Sequence, residues 1–553
     1  MVNKVFKNLS LSYLSDHIGI EDFNLAKNTY ELVSKDGHFD NNIKDKVLAS
    51  LLFQNSIPDD YFNKKRNFNK FCNALPKYII EKICEDLKSD LDSLKWDLKT
   101  SEYFIEELGL SKKFLKIFED NTKNQNLGFK SFDLPEYTFK KLKDYQSKVY
   151  YDVYSYISSV PYSRCIIQMP TGSGKTRTSM EIVCETLNNT NQNILWLANT
   201  EELCEQAYEA FIEVWRFLSK KKAQVINHVK YKEDYDNSVQ TFHVATLQSF
   251  NVKNKNNKID LLHNQSSGLG LIIVDEAHIS IAPTYKDTIT KLLTKGAKLI
   301  GLTATPGRNL GKIFVENNNS DERDKNENEI LSEFYFNKKF EIDTGKVPPI
   351  DYLRDKGILS NAKFISLEGS TVQNILTKNE IFKLQSENKV PEKIKDILTN
   401  DFRRNAIIFD KLLTLLKENK KILFFGTSLK HSKLMTSLIS LKGFKAAHVD
   451  GNSGKYRSSI IKSFKKGEIQ LLCNYGVLST GFDDPKIDVV FMARPTQSIV
   501  LYSQIIGRGL RGPKIGGTDR CEIVTVFDNI LDLPRNNEIY SYFDDYFIKD
   551  SEY

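Results

Sequence analysis

The stretch Met169–Thr176, MPTGSGKT, constrains the fold more than any other part of the chain. It follows the apolar run Cys165-Ile166-Ile167 and leads into a segment with helical spacing, so a buried strand, a glycine-rich turn and a helix come in succession. In that context Gly172, Ser173 and Gly174 let backbone N–H groups close round phosphate oxygens. Lys175 reaches the β and γ phosphates, and Thr176 offers an oxygen to Mg²⁺. The strict pattern has glycine where Met169 stands, so the turn on its own also fits an ordinary bend between strand and helix. A second element is needed, and Leu271–His278, LIIVDEAH, provides one. Paired acids on a loop are usually solvated charge or a helix cap. Here Asp275 and Glu276 leave the end of an apolar strand, the edge at which open α/β sheets hold ligands. Asp275 is placed to hold Mg²⁺, and Glu276 to orient and deprotonate a water.

The same alternation of short apolar runs and helical stretches recurs along the chain. Cys165–Ile167, Ile194–Leu197, Leu271–Val274 and Leu299–Leu302 are four candidate buried strands. A second series follows at Ile422–Phe425, Lys445–Val449, Ile469–Cys473, Val489–Met492 and Glu522–Phe527. At 553 residues the chain has room for several cores. The expected division is a helical N-terminal domain over 1–130, a first α/β lobe over 134–308, a polar insert over 309–345, a second lobe over 346–535 and a short tail over 536–553. The insert contains ENNNSDERDKNENE, Glu316–Glu329, which lacks the apolar content to pack. Leucine and aromatic residues at three-to-four spacing, such as Ile79, Ile83 and Leu87, make the N-terminal part helical.

The formal net charge of +7 permits a polyanionic partner without requiring one. The seven cysteines form no CxxC pair, which argues against structural zinc and for a reducing cytosol. No apolar run approaches the eighteen residues of a membrane span, so neither membrane insertion nor export is expected.

MPTGSGKT, DEAH and Gly301–Arg308, GLTATPGR, resemble motifs I, II and III of superfamily 2 helicases. Five further segments are similar to that family's motifs in its order: LKDYQ (142–146), LANTEELCEQA with Asn199, Thr200 and Gln206, VATLQ (244–248), FFGTS (424–428) and LSTGFDDP (478–485). QIIGRGLR (504–511) completes the set. The resemblance covers roughly Leu134–Ile530 and implies two tandem RecA-like parallel-sheet lobes that use ATP and Mg²⁺. It also implies roles for individual residues. Gln146 would read adenine; Gly481 and Asp483 would face the nucleotide; Gln504, Arg508 and Arg511 would act on the γ-phosphoryl group from the second lobe. Thr200, Thr246, Thr427 and Thr480 would contact nucleic-acid phosphates, and His278, Thr303 and Thr305 would couple the sites.

TATPGR, the lead-in PPIDYLRDKGILS (348–360) and TGFDDP look more like DNA-acting members, such as RadD-type repair helicases and the motor subunits of restriction enzymes, than RNA-unwinding ones. No zinc-binding tail or nuclease constellation is visible. The resemblance therefore implies a DNA-acting helicase or translocase in genome maintenance or anti-phage defence. The competing reading is a nucleotide-gated sensor that recruits a protein effector through the helical domain. Fold-level likeness does not separate the two.

Overall fold

The computed structural model describes residues 9–33, 41–116, 139–229, 238–251, 268–304, 329–372, 377, 390–479 and 482–530, positions 59, 92, 108, 452, 454, 455, 497 and 498 excepted. Two all-parallel sheets form its frame. The first has strands β1 (Arg164–Gln168), β2 (Asn193–Ala198), β3 (Gln224–Asn227), β4 (Thr241–Thr246), β5 (Leu269–Asp275), β6 (Lys298–Thr303) and β7 (Lys339–Glu341), in the order β3-β4-β2-β5-β6-β1-β7. The second has β8 (Asn361–Val372), β9 (Ile422–Phe425), β10 (Ala446–Val449), β11 (Leu471–Asn474), β12 (Val489–Met492) and β13 (Arg520–Ile530), in the order β10-β11-β9-β12-β13-β8. These are two RecA-like lobes. In each, helices cover the apolar faces that a parallel sheet must bury on both sides.

The strand expectations hold for the fully apolar runs: β2 and β5 are buried along their whole length. One boundary needs correction. The segment 309–345 is not insert throughout, because β7 pairs in parallel with β1, Ile166 opposite Lys339 and Gln168 opposite Glu341. Its sequence, Lys-Phe-Glu, shows only one apolar residue because an edge strand is half exposed. Strand β8 also went unanticipated, for along one edge of the second sheet it is half-buried or exposed up to its last residue, Val372, and has no continuous apolar run. Most of the Glu316–Glu329 patch and the whole 536–553 tail lie outside the described residues.

Before the first sheet the described chain is all helical: α1 (Leu11–Ile18), α2 (Ile20–Val33), α3 (Asn41–Ser56), α4 (Lys65–Asn73), α5 (Lys77–Leu87) and α6 (Leu98–Glu106). Although these helices come first in sequence, they pack on the second lobe. Helix α2 lies along the helix Phe402–Lys417 and α3 along the helix Leu429–Leu441. The apolar core is continuous across that junction, from Leu14, Phe53 and Phe71 to Phe409, Leu412, Leu434 and Leu438. The Tyr30 and Phe409 rings stand 6.1 Å apart, Asn55 Nδ2 donates to Ser437 Oγ at 2.9 Å, and Lys430 pairs with Asp22 at 2.5 Å.

Inside the second lobe, Arg404 is buried and grips Asp528 with two bonds, Nε–Oδ1 at 2.7 Å and Nη2–Oδ2 at 2.8 Å. The Ser370 N–H also donates to Asp528 at 3.0 Å, and Arg404 donates to the Ala493 carbonyl at 2.6 Å. The pair thereby joins β8, β13, the end of β12 and the helix Phe402–Lys417. Removing one partner would strand the other charge in the core, at a cost of about 3–5 kcal/mol.

Candidate active site

The phosphate loop connects β1 to the helix Lys175–Asn189. Gly172 and Gly174 have φ of +88° and +89°, a left-handed geometry that side chains resist. Space forbids a side chain as well. A Cβ on Gly172 would stand 2.3 Å from Arg511 Nη1, and one on Gly174 would stand 2.2 Å from Gln146 Nε2. From below, Tyr145 Oη and Gln146 Nε2 both donate to the Ser173 carbonyl at 2.9 Å, and the Met169 N–H donates to the Thr303 carbonyl at 3.0 Å. Gln146 thus braces the loop; its Oε1 accepts from the Lys143 N–H at 2.9 Å. Lys175 Nζ donates to the Met169 carbonyl at 3.1 Å. Burial holds this ammonium below its usual pKa, while Glu276 and Asp275 pull it back up. Thr176 sits in the first helical turn beside it.

Asp275 closes β5 and is buried. Burial and the neighbouring Glu276 push its carboxyl up to about 7, against the pull of Lys175. Glu276 donates its N–H to Asp275 Oδ1 at 3.1 Å and takes φ 60°, ψ 63°. A glutamate in that region is strained, a feature that concentrates at functional sites. His278 Nδ1 lies 3.4 Å from Glu276 Oε2, so it is placed next to its own motif's acid.

The second lobe delivers two arginines to this loop. Arg508 donates from Nε to the carbonyls of Ser479 at 3.0 Å and Gln504 at 3.2 Å, and from Nη1 to Phe482 at 2.7 Å. Burial and the adjacent Arg511 lower its pKa to about 10. Arg511 donates from Nε to Asp483 Oδ1 at 2.9 Å and from Nη1 to the Gly507 carbonyl at 2.9 Å. Its guanidinium lies against Gly172, and Gly507 lies against Thr171. Lys175, Arg508, Arg511, Asp275 and Glu276 therefore form one desolvated cluster. Three cations round a glycine cradle, Arg511 buried and Lys175 and Arg508 half-buried, suit a polyphosphate. A buried acid raised by desolvation suits a divalent cation, which would keep it ionised.

The other expected residues divide. Thr303 ends β6, its carbonyl bonded to the phosphate loop. Thr246 ends β4, and Thr200 caps the helix Glu201–Leu218 by accepting from the Leu203 N–H at 3.3 Å. Thr427 needs correction as a nucleic-acid contact. It is wholly buried, donating to the Ala493 carbonyl at 2.8 Å and accepting from Arg404 Nη1 at 3.1 Å. Thr305, Thr480 and Gly481 lie outside the described residues. Sequence reasoning missed Tyr145, although it adjoins Gln146, and also Arg404, Leu359 and Ser360.

Two family models match the chain: "Type III restriction enzyme, res subunit" over residues 139–308 and "Helicase conserved C-terminal domain" over 405–512. The putative ATP-dependent helicase IRC3 of Saccharomyces cerevisiae is 26% identical over 405 residues, 70% of this chain and 52% of that one. A 51.5 kDa protein of a Lactococcus phage is 25% identical over 63% of this chain and 62% of its own length. The type I restriction enzyme EcoKI endonuclease subunit of Escherichia coli is 23% identical over 63% of this chain and 31% of that one. The chain thus spans from 31% to 62% of the length of these relatives. Among solved structures, the Pyrococcus furiosus Hef helicase domain matches 72% of this chain and 97% of its own, with 17% identity and a TM-score of 0.42. A fragment of a putative HsdR subunit from Vibrio vulnificus matches 69% of this chain and 63% of its own, with 20% identity and a TM-score of 0.44.

Proposed function

The chain belongs to the superfamily 2 helicases, with restriction-motor-like character, and from that premise we propose that it is an ATP-driven motor that translocates on or unwinds DNA. The observation that carries this reading is the single charged cluster made by Lys175, Asp275 and Glu276 of one lobe and Arg508 and Arg511 of the other. The glycine loop and Lys175 hold the β and γ phosphates. Glu276 orients a water and takes its proton as the water oxygen attacks the γ phosphorus; the bond to the bridging oxygen breaks and ADP leaves. Arg508 and Arg511 stabilise the charge that spreads over the transferred group. Thr176 and Asp275 would hold Mg²⁺, which would supply positive charge to offset that of the phosphates. Because the arginines belong to the lobe opposite Lys175, hydrolysis requires lobe closure, and closure is what moves the chain along its track.

The restriction-enzyme subunit among the relatives supports DNA as the track, and supports genome maintenance or defence against foreign DNA as the setting. Seven free thiols, six of them buried, fit a reducing cytosol. Among the described residues no helix is long and apolar enough to cross a membrane.

Glu276→Gln tests the site. It keeps the shape of the side chain and removes the base, so ATP should still bind while hydrolysis falls roughly 10²- to 10⁴-fold. Nucleotide binding by fluorescence and phosphate release under single-turnover conditions separate the two. Turnover near wild type in this variant would remove Glu276 from the mechanism.

A further inference from the structure

The interlobe lead-in contains a residue that the motif series does not include. The helix Pro349–Asp355 is followed by Lys356 and Gly357, and Ile358-Leu359-Ser360 then runs as a strap into β8. Each residue of this tripeptide holds a different part of the active site. The Ile358 carbonyl accepts from the Gly512 N–H at 2.8 Å, next to Arg511. A methyl group of Leu359 lies 3.1 Å from where a Cβ on Gly172 would stand, sharing that glycine's face with the Arg511 guanidinium. Ser360, wholly buried, donates its hydroxyl to the Arg511 carbonyl at 2.5 Å and lies 2.7 Å from the Thr518 carbonyl. The return loop is equally tight: a Cβ on Gly512 would stand 2.4 Å from the Gly357 carbonyl oxygen.

We infer that Ser360 is a positioning residue for ATP hydrolysis: through the Arg511 carbonyl, and with Leu359 seated on Gly172, it fixes where the Arg511 guanidinium meets the phosphate loop. The inference rests on the proposed role of Arg511 in stabilising the γ-phosphoryl group. A buried hydroxyl costs desolvation unless it is bonded, and this one is bonded to the peptide of the arginine itself. A strap touching both the phosphate loop and the arginine loop converts their relative displacement into displacement of Arg511. At a reacting centre, misplacement of about 1 Å is enough to matter.

The test is steady-state ATP hydrolysis by the full chain carrying Ser360→Ala, Arg511→Ala or both, with thermal unfolding of each. Ser360→Ala should lower kcat roughly 10- to 100-fold with KM for ATP almost unchanged. In the Arg511→Ala background it should add nothing, because its effect passes through that side chain. Wild-type kcat in Ser360→Ala beside a crippled Arg511→Ala overturns the strap's role alone. A further equal loss in the double variant also overturns it, showing a general structural effect. Wild-type turnover in Arg511→Ala overturns both the strap and the arginine assignment. Should Ser360→Ala fail to fold, Leu359→Ala at the other end of the strap gives the same comparison.

Discussion

Arg511→Ala is expected to cut ATP turnover by on the order of 10³-fold or more, with ATP affinity changed far less. The Arg511 guanidinium is placed against Gly172 of the opposite lobe and oriented by Asp483 and the Gly507 carbonyl. A charge delivered in that way acts mainly where negative charge develops during phosphoryl transfer. Arg511→Lys should recover little of the loss, because a point charge on a flexible stem cannot reproduce a planar fork held at two corners. Turnover and nucleotide affinity measured on the same preparations decide the matter. Weakened affinity with unchanged kcat would make Arg511 a ground-state binding group.

Removing residues 1–138 is expected to destabilise the second lobe, not merely to shorten the protein. Phe409 and Leu434 are buried in the core shared with the N-terminal helices; Phe409 meets Tyr30, and Leu434 lies beside Ile18, Leu25 and Leu52. Exposing these two side chains alone costs about 3–6 kcal/mol, a large part of the 5–15 kcal/mol that typically separates folded from unfolded. The truncated chain should melt well below the intact one, or aggregate through the bared helices. Hydrogen exchange should accelerate over Phe402–Leu441 more than in the first sheet. Unchanged exchange there would show that the helical domain is an independent arm, as the effector-recruiting reading requires.

What could be read in the sequence follows a physical division. The phosphate loop and the DEAH segment were legible because strand, turn and helix lie next to one another in the chain, and their chemistry depends on that adjacency. The Arg404–Asp528 pair was not legible, since its partners are 124 positions apart and the two arginines in DFRRNA look like surface charge. The same pair explains the error at Thr427: a threonine just after an apolar strand reads as a phosphate contact, but here Arg404 and the Ala493 carbonyl hold its hydroxyl in the core. The three-to-four spacing at Ile79, Ile83 and Leu87 marked the N-terminal part as helices with a buried face. It could not show that the burying partner lies almost four hundred residues away, as with Asn55 and Ser437.

On the proposed function, the cluster shared by the two lobes turns over ATP in response to nucleic acid. The direct measurement is ATP hydrolysis by the intact chain and by Lys175→Ala, with no polynucleotide, single-stranded DNA, duplex DNA or RNA, each at low and raised salt. DNA should stimulate hydrolysis by the intact chain, the stimulation should weaken as salt competes for the phosphates, and Lys175→Ala should stay at background throughout. Stimulation by RNA alone would contradict the DNA assignment. Hydrolysis that no polynucleotide changes, or that survives Lys175→Ala, would rule out a nucleic-acid-driven motor built on this cluster.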